Sequence, residues 1–337
     1  EIGGDFRFLD DKVSLSLTYY DNIIEGILLN VALSPSSGYS TQYGNYGEMT
    51  NNGMEIDLGL DLIDTAEFGL STAINWSTNE NEVTDLFGTE SINLSPGASV
   101  SSRAVVGYPL GSLYGTGSQT NPDGSFILNS NGFPQITSSP IVLGDPNPDW
   151  RGGISLSMRY KKFRLNAVLE HSQGGDFSPR TLWVLRRFGT TQETANRLTL
   201  DQPLVNYRGN TIPAGTTVRG NIKDFGGGPV LLDENWYRTG IGGGFGDNQA
   251  YNFSIADATF TKLRDLSLSY VIDTPLVTNI GLSDVIVSLT GRDLININKV
   301  EGIDPEINTK GVSVAQGVEY FTNPQTKGFL VSLTINY

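Results

Sequence analysis

The chain has 337 residues, 40 of them glycine, with no cysteine, one histidine and a formal net charge of −14. No cysteine means no disulfide and no thiolate metal site, and the acidic balance argues against nucleic acid as a partner. Hydrophobic content is only 38% and no apolar run reaches a dozen residues, so no transmembrane helix is predicted.

The chain opens on EIGGDFRFLD, which carries no secretion signal and reads as the inside of a strand, so the expected N-terminus lies upstream. Gly4, Phe6 and Phe8 alternate with Asp5 and Arg7. Asp10 and Asp11 turn the chain, and Val13, Leu15, Leu17 and Tyr19 then alternate with Ser14, Ser16 and Thr18. Period-two alternation of this kind predicts a β-hairpin. A second hairpin sets Met54, Ile56, Leu58, Leu60 and Leu62 against Glu55, Asp57, Gly59 and Asp61. It returns through Phe68, Leu70, Thr72, Ile74 and Trp76. Three carboxylates on one face of a strand must meet water. A third hairpin pairs Ile154–Tyr160 with Phe163–Leu169 around Lys161 and Lys162. A fourth runs down Leu266, Leu268 and Tyr270 and back through Val285, Val287 and Leu289. Residues 180–197 have few breakers and predict a short helix. The short apolar pieces at 24–31 and 103–106 are expected to pair locally. The last strand, KGFLVSLTINY, places Phe329, Val331, Leu333, Ile335 and Tyr337 on one face and stops on the aromatic.

Nine strands are predicted, at 2–9, 12–20, 53–62, 67–76, 150–160, 163–172, 257–272, 283–294 and 328–337. Short turns near 10, 64, 161 and 277 alternate strictly with long connections at 21–51, 77–149, 172–256 and 295–326. Long loops are uncommon in compact domains. Four at the same end of a sheet suit a membrane β-barrel with short periplasmic turns and long extracellular loops. Phe6, Phe8, Phe68, Tyr160, Phe163, Tyr270 and Tyr337 fall at the short-turn ends, and Tyr19, Trp76, Trp150 and Phe329 at the long-loop ends. Two such rows match aromatic girdles at the two headgroup levels. Nine is odd and an open edge is unsatisfied in lipid, so the chain is expected to be the C-terminal part of a larger barrel.

Specific words then match a family. GYPLGSLYG (residues 107–115), GDPNPDWRGG (144–153), ATFTKLRDLSLSY (258–270), GRDL (291–294), GIDPE (302–306) and the terminal GFLVSLTINY resemble the SusC/RagA-like TonB-dependent transporters of the Bacteroidota outer membrane. The matches run in family order from residue 107 to the end. The resemblance implies a plugged barrel of about 22 strands, an N-terminal plug with a TonB-interacting segment, neither in this chain, and a SusD-like lipoprotein lid. It also implies oligosaccharide or oligopeptide cargo and no catalytic motif.

Candidate chemistry is sparse, and no enzyme activity, cofactor or metal is expected. His171 stands alone, whereas a triad or zinc site needs further ligands. Glu55, Asp57 and Asp61 read as an acidic column facing a wet lumen rather than as paired catalytic carboxylates. The glycine run 240–246 lacks a following Lys-Ser/Thr and reads as a flexible loop. Asp145 and Asp149 depart from calcium-loop spacing and read as a Pro-shaped turn. The binding candidates are the loop aromatics Tyr43, Tyr46, Trp183, Trp236 and Tyr237, because sugar rings and peptides stack on aromatic faces. Phe329 and Tyr337 are expected to serve as the barrel-assembly signal. The functional expectation is TonB-dependent nutrient import across the outer membrane, with lipid, the remaining strands, TonB and a SusD-like lid as partners. The alternatives are a passive porin or autotransporter barrel, an adhesion or secretion scaffold of the same architecture, and a soluble carbohydrate-binding sandwich.

Overall fold

Nine antiparallel strands form one sheet in the computed structural model, which describes residues 1–95, 99–240, 242, 249–300, 302–309, 311 and 316–337. The strands are β1 (Ile2–Phe8), β2 (Val13–Glu25), β3 (Glu48–Asp64), β4 (Phe68–Asp85) and β5 (Trp150–Tyr160). They continue as β6 (Phe163–Gln173), β7 (Phe260–Ile272), β8 (Asp284–Asn298) and β9 (Gly328–Asn336). Each pairs with the next in sequence, so the wall is an up-and-down meander. All nine predicted strands are present. Four of them run further towards the long loops than alternation suggests: β2 to 25, β3 from 48, β4 to 85 and β8 to 298. There the ladder pairs polar residues such as Asn22 with Asn51 and Asn52 with Glu80. Backbone hydrogen bonds continue where the hydrophobic signal has ended.

The register separates the two faces. Leu58 lies opposite Leu15 and Ile74, Ile154 opposite Leu169, and Leu268 opposite Leu165 and Leu289. Paired residues of an antiparallel sheet share a face, so these form one continuous apolar surface. Asp57 lies opposite Ser16 and Asn75, Ser157 opposite Ser71 and Asn166, and Ser267 opposite Asn166 and Thr290. These form the polar face. On it the Ser267–Thr290 and Ser269–Ser288 hydroxyls bond at 2.9 and 2.8 Å. Grooves of 620, 500 and 480 Å³ run along this face over a floor of small residues that includes Gly59, Ser71, Ala73, Ser155 and Ser157.

Phe6, Phe8, Phe68, Tyr160, Phe163 and Tyr270 border the apolar face at the short-turn end. Phe163 and Tyr270 touch with centroids 4.7 Å apart, and Phe68 meets Tyr160 edge-on at 6.5 Å. At the other end Trp150 and the His171 ring lie 4.8 Å apart. Trp150 and Tyr160 bound β5. Ten residues at about 3.3 Å each, tilted by about 40°, span roughly 25 Å of height. That is the thickness of a barrel's apolar band.

The buried core is in the loops, not beneath the sheet. Leu29, Val83, Leu86, Ile92 and Ala104 form one cluster, Val100, Leu113, Trp183 and Tyr251 a second, and Phe133, Phe225, Val230, Leu232, Trp236 and Tyr237 a third. The loop between β4 and β5 carries its own four-stranded sheet. The earlier loop folds as a hairpin of Leu28–Ala32 on Thr41–Asn45. The apolar piece at 24–31 is therefore divided between the end of β2 and this hairpin, and residues 103–106 pair within the small sheet, in Ser101–Val105. The predicted helix is present as α1 (Arg180–Phe188) and the single turn α2 (Gln192–Ala195), separated at left-handed Gly189. Wall residues such as Val331 (73% exposed) and Leu333 (63%) are uncovered, whereas Val83 in the loop core has no exposure. A soluble sandwich would cover that apolar face, so this alternative does not fit the fold.

Candidate functional site

The loops pack over the polar face of the sheet. Asn81 and Val83 of β4, Ser172 of β6 and Phe260 and Lys262 of β7 belong to that face by register, and all are buried. In contrast Glu80 and Glu82, on the other face, are exposed. The loops thus cover the end of the polar face, the side that lines the interior of a barrel.

A charge network fastens the last long loop to the wall. Lys262 is fully buried. Its Nζ donates to both oxygens of Asp304, at 2.8 and 2.7 Å, and to Glu306 at 2.7 Å. Arg264, two residues on, donates to Glu170 at 2.6 Å and to Glu306 at 2.5 Å. Positions two apart on a strand share a face, so both cations lie on the same side, beside a bulge in β7 between Leu263 and Asp265. The Phe260 ring packs 4.7 Å from the Lys262 ammonium. Burial pushes the Glu306 carboxyl up, but the hydrogen bonds from Arg264 and Lys262 outweigh it and hold the group below its ordinary value. The KLRDL and GIDPE words of the sequence are thus the two halves of one clamp.

The DPNPD segment is a built turn. The Asp145 carboxylate accepts from the Asn147 backbone N–H at 2.9 Å and from its side-chain amide at 2.7 Å. Asp176 accepts from the Asp145 N–H at 3.1 Å. Burial raises the pKa of both carboxyls, with the Asp149 charge adding to the shift of Asp145 and the Asp145 charge to that of Asp176. Among the described residues no group of three His, Asp or Glu side chains is placed to hold a metal ion. An open cleft of 570 Å³ separates this turn from residues 78–82 of β4, with Glu80, Glu82, Asp145 and Asp149 on its lining.

Three of the five aromatics expected to bind solute serve another purpose. Trp183 is 1% exposed and stacks on Tyr251 at 5.6 Å. Trp236 is 4% exposed and surrounded by Phe133, Phe225, Tyr207 and Phe253. Tyr237 is 5% exposed, donates to Glu193 at 3.1 Å and accepts from Asn221 at 2.8 Å. Its burial, with the Glu193 charge, raises its phenol pKa. These rings hold the loops together, because loops this long need a core of their own. Tyr46 packs against the Leu29–Val83 cluster. Tyr43 is exposed, on the Thr41–Asn45 strand. Of the glycine run, Gly240 and Gly242 lie against Trp236, where a Cβ on Gly242 would come within 2.2 Å of the indole. Residues 241 and 243–246 lie outside the described residues. His171 bonds Thr261 at 2.7 Å and packs on Trp150, a structural placement. Glu55, Asp57 and Asp61 stand exposed on the polar face as a column. Phe329 lies opposite Gly291 on the apolar face, and Tyr337, 99% exposed, follows the last residue of β9. Neither the clamp nor Arg180 shows in the local sequence pattern; a lysine amid strand alternation is the available signal for the clamp.

No protein-family model matches this chain. Among curated proteins it is 24% identical over 370 residues to TonB-dependent receptor P3 of Formosa agariphila, covering 100% of this chain and 34% of the relative. It is 23% identical over 352 residues to TonB-dependent receptor SusC of Bacteroides thetaiotaomicron, covering 99% and 31%. The chain spans about a third of the length of these relatives. Among solved structures it superposes on the RagAB peptide transporter with a TM-score of 0.66 at 19% identity, covering 99% of this chain and 34% of that one. The closed-closed state of the RagAB importer gives 0.65. The solved structures show the fold, a stretch of antiparallel barrel wall, and along its whole length the chain is similar to SusC-like TonB-dependent receptors.

Proposed function

We propose that this chain is the C-terminal portion of the wall of a TonB-dependent outer-membrane transporter that imports a nutrient fragment, an oligosaccharide or an oligopeptide. The observation that carries the reading is the two-faced sheet: an uncovered apolar face edged by aromatics, and a polar face over which the first, second and last long loops fold. In this reading the apolar face meets lipid, the long loops lie outside the cell, and the short turns and Tyr337 lie in the periplasm. Plug and earlier strands come from sequence beyond this chain, and TonB acts through that plug. A SusD-like lipoprotein closes over the loops, as the similarity to SusC and to the RagAB assembly suggests. The relatives are receptors and importers, in keeping with a chain that has no enzymatic role. Phe329 and Tyr337 keep their proposed part in barrel assembly, and Tyr43 is the aromatic of the original five left open to a solute.

The test is uptake of a fluorescent oligosaccharide and oligopeptide panel by cells expressing the whole transporter, with and without TonB. Uptake lost without TonB supports active import. Uptake that persists at the same rate without TonB makes the barrel a passive porin.

A further inference from the structure

Arg180 opens helix α1 and is 9% exposed. Its guanidinium lies 4.6 Å from the centre of the Tyr320 ring, and its Nε is sealed from solvent with no hydrogen-bond partner. Among the described residues no carboxylate forms an ion pair with it. The neighbouring carboxylate, Glu319, is committed elsewhere. It accepts from the Thr181 hydroxyl at 2.6 Å and backbone N–H at 3.2 Å, and from the Thr322 hydroxyl at 3.0 Å. A guanidinium cannot shed its charge by deprotonating. Burying one without an anion costs several kcal/mol, a cost that a bound anion would offset.

The surroundings are shaped to receive one. Thr181 and Glu319 fix the turn after residue 319, and the Phe321 N–H donates to the Thr181 hydroxyl at 2.5 Å. Phe321 is thereby held at φ 49°, a left-handed conformation that is strained for a bulky side chain. The result is that Phe321 (57% exposed) and Tyr320 (38%) project from the loop surface with centroids 4.8 Å apart. Of the guanidinium nitrogens only Nε is both sealed and unbonded, and the Tyr320 ring lies against the group.

We propose that Arg180, Tyr320 and Phe321 form a ligand subsite for a carboxylate carried next to a ring or an apolar group. Arg180 binds the carboxylate through its terminal N–H groups, and Phe321 stacks on the neighbouring face. Two sources share this chemistry: the uronate of an acidic oligosaccharide and the C-terminal carboxylate of an oligopeptide. The proposal rests on the import reading only for the supply of ligand; binding is measured apart from transport.

The experiment is calorimetric titration of the detergent-purified whole transporter. One arm uses an oligouronate and its carboxyl-reduced neutral form. The other uses a Phe-terminated oligopeptide as free acid and as C-terminal amide. One acid should bind about ten- to a hundredfold more tightly than its neutral twin, the range of a charge-assisted hydrogen bond, and the arm that does so names the source. Arg180→Met should abolish that preference while the protein melts no lower, because an unpaired buried charge is removed. Phe321→Asn, which tolerates the left-handed turn, should weaken both forms alike. Equal binding of acid and neutral forms in both arms, or an unchanged preference in Arg180→Met, overturns the proposal. So does a large drop in melting temperature for Arg180→Met with binding in Phe321→Asn unchanged, which would make Arg180 structural. Failed uptake with intact acid preference would count against the import reading alone.

Discussion

Replacing Lys262 by methionine should release the last long loop without unfolding the wall. Lys262 has no exposure and neutralises Asp304, itself 8% exposed, and Glu306. Methionine keeps the length of the side chain but leaves Asp304 without a counter-charge, since its carboxylate otherwise accepts from the Glu306 N–H at 3.0 Å. Glu306 retains Arg264. Removing one partner of a buried pair costs about 3–5 kcal/mol, equivalent to a roughly hundredfold to several thousandfold rise in the open population of that loop. The wall ladder of β7 with β6 and β8 does not depend on the ammonium. Proteinase K cleavage between residues 299 and 327 follows the open population when reclosing is fast, so it should accelerate by that factor. The heat-modifiable gel shift of the folded barrel should stay. Adding Asp304→Asn should recover most of the protection, since the stranded charge is then gone. Unchanged cleavage in Lys262→Met, or a barrel that no longer folds, would refute the clamp.

Other outcomes follow from the same geometry. Leu58→Arg should lower barrel stability by about 2–4 kcal/mol in lipid, since Leu58 lies among Leu15 and Ile74 on the apolar face. Gly59→Arg, on the polar face, should cost less, because its Cβ meets the movable Ser14 hydroxyl; urea unfolding in liposomes compares them. For Asp176 the folded pKa lies above the unfolded one because burial penalises the charge. Stability from that group is therefore present below its unfolded pKa and is lost as pH rises through the raised value. Asp176→Asn should melt higher than the parent at pH 7 and equally near pH 3, measured by differential scanning calorimetry. Deleting residues 329–337 removes the strand that pairs with β8 and should abolish folded barrel in outer-membrane fractions, whereas trimming the Leu28–Asn45 hairpin should not.

The wall could be read from sequence because lipid and lumen impose opposite demands on successive residues. Val13–Tyr19, Met54–Leu62 and Phe329–Tyr337 therefore announced both strand and face. Above the aromatic rows water bathes both sides, and the continuations at 21–25, 48–52, 77–85 and 295–298 lost the alternation while keeping the ladder. Trp183, Trp236 and Tyr237 were misread for a related reason. An aromatic in a Gly- and Asn-rich loop looks available for stacking, but four long loops bury a core of their own, and only tertiary packing says which rings it consumes. The Lys262 clamp joins positions 42 residues apart, a pairing that no local pattern displays.

The most direct test of the two-faced wall uses spin labels placed one at a time along β3 of the whole transporter in liposomes, by cysteine substitution of Ile56, Asp57, Leu58, Gly59, Leu60 and Asp61. This chain has no cysteine of its own. Collisions with oxygen, which concentrates in lipid, should peak at 56, 58 and 60. Collisions with a water-soluble nickel chelate should favour 57, 59 and 61. Oxygen maxima at 57, 59 and 61, or no period of two, would contradict the assignment of the apolar face to lipid.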